Sequence, residues 1–393
     1  MPRAPFRRKS GARESNQLVR LAEGLASSKS RAEDVYWERE LEKAVTAHLE
    51  NNDEEAINRA LDKAHDSPEN TFDALADMVE SLTESVLIDS ELGRQRVCLF
   101  AAPILVWGRA KIPTKTIPKQ VVQNLTVQLS AHVFSSKAKV SIVDYLFAPD
   151  QLPHSYSESR AMLDTLVSSL RAKTALSVDT KTVEDAPDVV CDMRMVIGAF
   201  QVPEGEPFYA WQEMTTPVEE ARQTCLANWR AQGGAAIQPM LVGFPHELTL
   251  PRTFFSACRD ADLASRAYSI GASVSYIEAV THTPPEKLTA IIGGCWGNGI
   301  EEYRIGFSLG DEEDVIHGTI WPLVSDEAED TPVPDEIEQL LRAAGVTHII
   351  TLDEQLPLEF CDDCGAPHFP NREGEMLHAH LPEDADTEGV QLH

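Results

Sequence analysis

Hydrophobic residues recur every three to four positions in the first quarter of the chain. Between residues 14 and 92 leucine, valine and isoleucine follow this spacing, as at Leu18, Leu21 and Leu25, which predicts amphipathic helices that each bury one face. We therefore predict a helical segment over 14–92. Residues 1–13 carry five positive charges and no apolar pattern. We interpret them as a disordered basic tail, with an anion-contacting arm as the alternative.

Further along, unbroken apolar runs alternate with amphipathic stretches, as expected for strands connected by helices. The order strand, helix, strand, helix occurs twice. The predicted strands are Val97–Val106, Val140–Leu146, Val189–Phe200 and Ala235–Val242. We predict two similar βαβα units over 95–180 and 188–280, and chance similarity between two ordinary units is the alternative.

After Pro285 short alternating strands are separated by glycines and acidic turns, which indicates an antiparallel extension. The predicted fold class is α+β: a helical N-terminal segment, a central mixed α/β sheet from the two similar βαβα units with the antiparallel extension, and a C-terminal zinc-ribbon-like knuckle. The predicted domains are 1–13, 14–92, 93–352 for the central α/β domain, and 353–393 for the ribbon-like tail.

Charge narrows the classes of partner. The chain has 63 Asp and Glu against 34 Lys and Arg, a net charge of −29, which disfavours nucleic acids and anionic membranes. We predict a protein or small-molecule ligand, and a homo-oligomer is compatible with the composition. The longest apolar stretch, Val97–Trp107, is far short of the roughly 20 residues of a spanning helix. No apolar signal segment follows the basic N-terminus, and seven cysteines without framework spacing favour reduced thiols, so we predict a cytoplasmic location.

The motif with the clearest chemistry lies near the C-terminus. Cys361 and Cys364 are separated by two residues and followed by Gly365, the spacing of a turn whose two thiolates face one ion. A predicted hairpin turn over 370–375 leads to His378 and His380, which point to one face if they lie in a strand. We predict a structural Zn²⁺ held by two thiolates and these two imidazoles.

Three alternatives to this set stay open. A redox Cys-x-x-Cys pair would need a helix after the first cysteine, whereas Gly365 and Pro367 follow here. A ribbon that has lost its ion is the second. The third is that only some of the histidines bind the metal, with His368 as a further candidate ligand.

Other candidates lack a complete constellation. The Gly293–Gly299 run resembles a phosphate loop, but no Lys-Ser/Thr ending or helix follows it, so we interpret it as a hairpin or bulge turn. Cys295 could be a nucleophile, but spacing pairs no histidine or aspartate with it, so a packed thiol is the simpler interpretation. His154 and His246 lie near loop or strand ends of the central region.

Three segments carry a family resemblance. They run from Cys361 to His378 (CDDCGAPHFPNREGEMLH), from Phe147 to Pro153 (FAPDQLP) and from Ala101 to Trp107 (AAPILVW). The chain resembles, from about residue 15 onward, a family of beta-proteobacterial proteins catalogued only as a domain of unknown function, with a C-terminal CxxCGAPxFPN signature. The resemblance implies a bacterial cytosolic protein and carries over no catalytic residue.

Two functions are compatible with these features. The first is a non-enzymatic binding or regulatory protein with a structural zinc knuckle, because the metal set is of a structural type and no catalytic or cofactor-binding constellation is recognisable. The alternative is an enzyme whose site lies between the two α/β halves and uses groups such as His154, His246 or Cys295.

Overall fold

The computed structural model describes residues 7–386, apart from 68–69, 92, 109–110, 173–175, 179–182, 184–185, 187–190, 298 and 324–331, with side chains from Ser15 onward. It is a mixed α/β structure whose described residues form nine α-helices and several sheets. Within these residues, no helix has the length and apolar character needed to cross a membrane.

Four helices form the N-terminal part and bury one core. They are α1 (Arg7–Ala26), α2 (Arg31–Glu50), α3 (Glu54–His65) and α4 (Thr71–Glu84). The predicted stripe residues Leu18 and Leu21 lie in this core with Leu41 and Leu75. Helix α1 begins at Arg7, inside the predicted basic tail, and residues 1–6 of that tail lie outside the described residues. The helices end at Glu84, where a strand begins within the segment predicted to be helical.

The central sheet has seven strands with helices on both faces. The strands are β1 (Ser85–Ser90), β2 (Gly93–Trp107), β3 (Lys115–Thr116), β4 (Lys139–Phe147), β5 (Cys191–Pro203), β6 (His246–Leu248) and β7 (Arg252–Thr253). The main path is β1-β2-β5-β4-β3, and β6 and β7 pair with β2. All these pairs are antiparallel, whereas we predicted a mixed sheet.

Four helices cover this sheet and explain why its strands are so apolar. They are α5 (Lys119–His132), α6 (Tyr156–Ala172), α7 (Val218–Ile237) and α8 (Phe254–Thr281). Alternate residues of β2 enter two cores: Phe100 packs with residues of α5 and α7, and Leu99 packs with residues of α6 and α8. Burial of both faces therefore produces the nearly continuous apolar run Val97–Val106.

One predicted strand of this region is wrong. Residues 235–237 are the last turn of α7, and a turn from Gln238 follows, where we predicted the strand Ala235–Val242. The apolar side chains of this segment are buried because the helix end packs on the sheet, with Ile237 and Leu241 in the same core as Phe100. The strand that actually follows α7 is β6.

The predicted antiparallel extension is a second sheet. Its strands are β8 (Leu288–Trp296), β9 (Ile300–Leu309), β10 (His317–Pro322), β11 (His348–Thr351) and β12 (Leu356–Pro357), and α9 (Val333–Ala343) packs on it. Strands β8, β9 and β10 are antiparallel, whereas β11 and β12 are parallel to β8. Helix α8 joins the two sheets, because Phe254 lies in a core of the first and Ile277 in the core of the second.

Candidate metal centre

A tight turn brings the two C-terminal cysteines together. The amide of Gly365 donates to the carbonyl of Cys361 at 2.8 Å, and the amide of Cys361 donates to the carbonyl of Ala366 at 2.8 Å. Gly365 has φ +72°, a left-handed conformation that glycine adopts without a Cβ penalty. The knuckle, residues 361–366, therefore closes on backbone hydrogen bonds that its own sequence permits.

The turn also prepares one sulfur for metal binding. The amides of Cys364 and Asp363 donate hydrogen bonds to the Cys361 sulfur, and these bonds lower the pKa of the Cys361 thiol. A hydrogen bond from the Cys364 side chain lowers this pKa further, by a smaller amount. Amide donors favour the charged form of the group that accepts them. Because the thiolate is the form that binds metals, the knuckle favours the reactive state of Cys361.

A short hairpin carries the histidines. Strands β13 (His368–Pro370) and β14 (Met376–His378) are antiparallel, with His368 opposite His378. The buried Asn371 side chain accepts hydrogen bonds from the amides of Glu373 and Glu375 at 3.0 and 2.9 Å. Asn371 thus satisfies the backbone of the turn and fixes the position of β14.

The hairpin places one predicted histidine against the knuckle. Ligand atoms of Cys361, Cys364 and His378 all lie within 4.8 Å of one another, and His378 Nε2 is 3.2 Å from Cys364 Sγ. His380 Nε2 lies 3.1 Å from His378 Nδ1, on the side of the ring away from the sulfur. The ring of His368 is 6.2 Å from that of His378, and its Nδ1 is 3.6 Å from a carboxylate oxygen of Glu359. Three of the predicted side chains therefore form a group that could hold a metal ion.

Glycines of the second sheet make room for the hairpin. A Cβ on Gly318 would lie 2.2 Å from the ring of Phe369, and a Cβ on Gly306 would lie 2.2 Å from the carbonyl oxygen of Pro370. Gly306 and Gly318 are paired across β9 and β10. The hairpin therefore rests on a flat strip of sheet where two neighbouring side chains are missing.

A buried arginine fixes both ends of the knuckle. Arg304 on β9 is fully buried, and its Nη1 donates to the carbonyls of Glu359 and His368, the latter at 2.8 Å. Its Nε donates to Glu302 at 2.6 Å, and its guanidinium lies 4.8 Å from the centre of the Phe360 ring. Because residues 359 and 368 flank the knuckle, Arg304 determines how the knuckle sits on the sheet. Sequence inspection missed Arg304, since a single arginine in a strand carries no distinguishing pattern.

The hairpin also forms one wall of an inter-sheet cleft of about 590 Å³. Pro367, Phe369 and Ala379 contribute this wall, and Leu105 and Met193 of the central sheet contribute another. Most of the polar lining comes from α8 and β10. The hydroxyl and imidazole groups among it are those of Ser265, Ser269, Ser273, His317 and Thr319, and the charged Arg266 of α8 and Asp192 of β5 also line the cleft. The serines are spaced four residues apart, a helical-face signal that sequence inspection could have found.

Two hydrogen-bonded pairs on the lining of the cleft connect α8 to β10. His317 Nε2 lies 3.2 Å from Ser273 Oγ, and Thr319 Oγ1 donates to Ser269 Oγ at 3.1 Å. Burial lowers the pKa of His317 to about 4, because desolvation disfavours the imidazolium. The cleft therefore presents hydroxyl and imidazole groups beside one acidic and one basic side chain, on an otherwise mainly apolar lining.

The other sequence candidates lie on separate elements. Gly293–Gly299 is the end of β8 and the turn to β9, with a register shift between Cys295 and Trp296 and Asn298 outside the described residues. Cys295 is buried, and burial raises the pKa of its thiol to about 11. His154 lies in the turn before α6, and His246 on β6 contacts the carbonyl of Phe244 at 3.0 Å.

Comparison with known proteins is consistent with the resemblance noted in the sequence. One family model matches residues 3–392, and its description is Protein of unknown function (DUF2863). The predicted resemblance to a family of unknown function is thus confirmed over nearly the whole chain. No curated protein and no solved structure matches.

Proposed function

Because the chain belongs to this family of unknown function, we propose a function from its own geometry: a binding protein whose C-terminal ribbon is held by a structural zinc ion. The ribbon comprises the knuckle and the β13–β14 hairpin. The ion is bound by Cys361, Cys364 and His378, and the ribbon closes one side of the inter-sheet cleft. The observation that carries the proposal is the convergence of these three ligand atoms within 4.8 Å.

The donor set supports zinc over other common ions. Two thiolates and an imidazole are soft to borderline ligands, which suit Zn²⁺ and do not suit Mg²⁺ or Ca²⁺. With Zn–S distances of about 2.3 Å, tetrahedral ligand atoms lie roughly 3.5–3.8 Å apart. His378 Nε2 and Cys364 Sγ are 3.2 Å apart and all three ligand atoms lie within 4.8 Å of one another, so the observed separations bracket this range.

The position of the ribbon supports a binding role. Pro367 and Phe369 follow the knuckle directly, and Ala379 follows the ligand His378, so residues next to the metal ligands line the cleft. The cleft volume lies in the range of small-molecule sites. Its apolar lining, its hydroxyl and imidazole groups, and one side chain of each charge, Asp192 and Arg266, fit a ligand without net charge that has an apolar body and a few hydrogen-bonding groups.

Metal content is the first test of this proposal. We expect one zinc ion per chain by elemental analysis and native mass spectrometry of the full-length protein. Cys361→Ser should remove the ion, whereas Cys258→Ser on α8 should retain it, because Cys258 packs in a core away from the knuckle. A wild-type protein without metal, or equal metal in both variants, would refute the zinc assignment.

Ligand binding is tested by filling the cleft. Uncharged small molecules that raise the melting temperature of the wild type should lose this effect in Ser265→Phe, whose ring would occupy the cleft. Leu263→Phe is the matched control, because Leu263 is exposed on the same helix and outside the cleft lining. Equal responses in both variants would place the binding elsewhere.

A further inference from the structure

The two nitrogens of the His378 ring face different partners. Nε2 is 3.2 Å from the Cys364 sulfur, and Nδ1 is 3.1 Å from Nε2 of His380. An ion between the two sulfurs would therefore bind Nε2, while Nδ1 stays with His380. Among the described residues, only Cys361, Cys364 and His378 group their ligand atoms within 4.8 Å.

His380 is held in place by the second sheet. Its amide donates to the carbonyl of Val315 at 2.9 Å, and Val315 is buried two residues before β10 begins. The rings of His378 and His380 lie 4.4 Å apart and are tilted by 35°. Metal-bound histidines usually donate their second N–H to an acceptor that fixes the ring, and His380 Nε2 occupies that position here.

We propose that His380 is a positioning residue for His378, and that the ion keeps its fourth coordination position for water or a small neutral ligand. This inference rests on the proposed zinc site. Structural zinc sites usually have four protein ligands, whereas three leave one position open, so this ion would hold the ribbon together and also bind an external ligand. The ribbon would then hold an ion that is accessible to small molecules.

The surroundings of His378 set the class of ligand. Asp362 and Asp363 lie between the two ligand cysteines, and Glu312, Asp314 and Glu383 line an open cleft of about 600 Å³ beside His378 and His380. These carboxylates repel an anion, and a zinc ion bound by two thiolates and one imidazole has no net positive charge to offset the repulsion. A neutral nitrogen donor such as imidazole is therefore favoured over an anion such as azide.

Cobalt substitution tests the open position without any assay of activity. Full-length protein loaded with Co²⁺ should show thiolate charge-transfer bands, and imidazole should shift the d–d bands saturably while the thiolate bands remain. Azide should shift the d–d bands only at much higher concentration. Failure to bind cobalt would overturn both this inference and the zinc site. Cobalt binding without an imidazole response would overturn the open position alone.

Variants then separate a ligand from a positioning residue. His380→Ala should bind cobalt about 10–100-fold more weakly with its thiolate bands intact, and His380→Gln, which still offers an acceptor oxygen, should recover part of the loss. If His380 is a ligand, the imidazole response will be absent in the wild type and appear in both variants. The controls are His368→Gln and His393→Gln, the second of which lies outside the described residues. An imidazole response that is absent in the wild type and appears in only one of these variants would identify that histidine as the fourth ligand and overturn the proposal.

Discussion

Buried arginines hold irregular segments against the two sheets. Arg304 binds the carbonyls on both sides of the knuckle, and Arg194 on β5 donates to the carbonyls of Ile112 and Pro113 at 2.8 and 3.1 Å. Both guanidiniums are fully buried. An arginine can serve several carbonyls at once because its N–H groups form a rigid planar fork. Each loop thus obtains donors that its own backbone lacks.

Replacing Arg304 should therefore loosen the ribbon. Arg304→Met leaves the carbonyls of Glu359 and His368 and the Glu302 carboxylate without their donor, so we expect the free energy of unfolding to fall by about 3 kcal/mol. Arg372→Met is the control, since Arg372 pairs with the exposed Asp311 and should cost less than about 1 kcal/mol. Urea titrations of both variants measure the difference, and equal losses would contradict the role of Arg304.

Desolvation of the His317 ring should make stability depend on pH. Its folded-state pKa is about 4, below the ~6.5 of an unfolded chain, so the folded protein binds fewer protons between these values. Its contribution to the free energy of unfolding is complete above pH ~6.5 and is lost as the pH falls toward 4. The loss is at most about 3 kcal/mol. His317→Gln should remove this slope, and an unchanged pH profile in that variant would show that His317 is solvated.

Glu84 should give the free energy of unfolding the opposite dependence on pH. Burial raises the pKa of this carboxyl to about 7, so the folded protein prefers its neutral form. Stability from Glu84 is complete below pH ~4.5 and is lost as the pH rises through 7. Glu84→Gln should therefore be more stable than the wild type at pH 8, by up to about 3 kcal/mol, and equal to it near pH 4.5. Glu55→Gln, an exposed control on α3, should change stability by less than 0.5 kcal/mol.

At the scale of elements, burial was predictable from the sequence but strand direction was not. The apolar run Val97–Val106 indicates that both faces of β2 are covered, and the structure shows two cores on those faces. Covered parallel and antiparallel strands have the same composition, so this pattern could not exclude a mixed sheet. The prediction of a strand over Ala235–Val242 was wrong for a related reason, because a buried helix end and a buried strand are both short apolar runs.

The candidate site divides into a local and a non-local part. Cys361, Cys364 and Gly365 were predictable because a tight turn is encoded by adjacent residues. Which histidine meets them depends on how the hairpin rests on the second sheet, and that contact joins segments about 60 residues apart. Spacing alone therefore placed His378 and His380 together as ligands, whereas in the structure His378 groups with the two cysteines and His380 contacts the other nitrogen of the His378 ring.

The contact between the hairpin and the sheet leads to a prediction about Gly318. Gly318→Ala puts a Cβ 2.2 Å from the Phe369 ring, so the hairpin must move, at an expected cost of about 1–3 kcal/mol. Hydrogen exchange should show lower protection of residues 368–378. Gly271→Ala is the matched control: it lies in α8 with open space around its Cβ and should stabilise by about 0.5–1 kcal/mol. Unchanged exchange in Gly318→Ala would mean that the hairpin is not seated on this sheet.

Across the whole molecule, separate cores are linked by one long helix and surrounded by negative charge. Helix α8 contributes Ala257 to a core of the central sheet and Val274 to the core of the second sheet. Both parts share the net charge of −29, because acidic residues outnumber basic ones by 63 to 34 along the chain. Folding brings these charges closer together than they are in the unfolded chain, so self-repulsion opposes the compact state.

Salt should therefore stabilise the protein. The screening length falls from about 30 Å at 0.01 M salt to about 10 Å at 0.1 M, so repulsion across the molecule weakens over this range. We expect the free energy of unfolding at pH 7.5 to rise on the order of 1 kcal/mol between 0.01 and 0.3 M NaCl, measured by urea titration. Near pH 4.7, the isoelectric point of the sequence, the same salt should have little effect because the net charge is close to zero. An equal gain at both pH values would contradict screening of the net charge, since salting effects on apolar surface do not require a net charge.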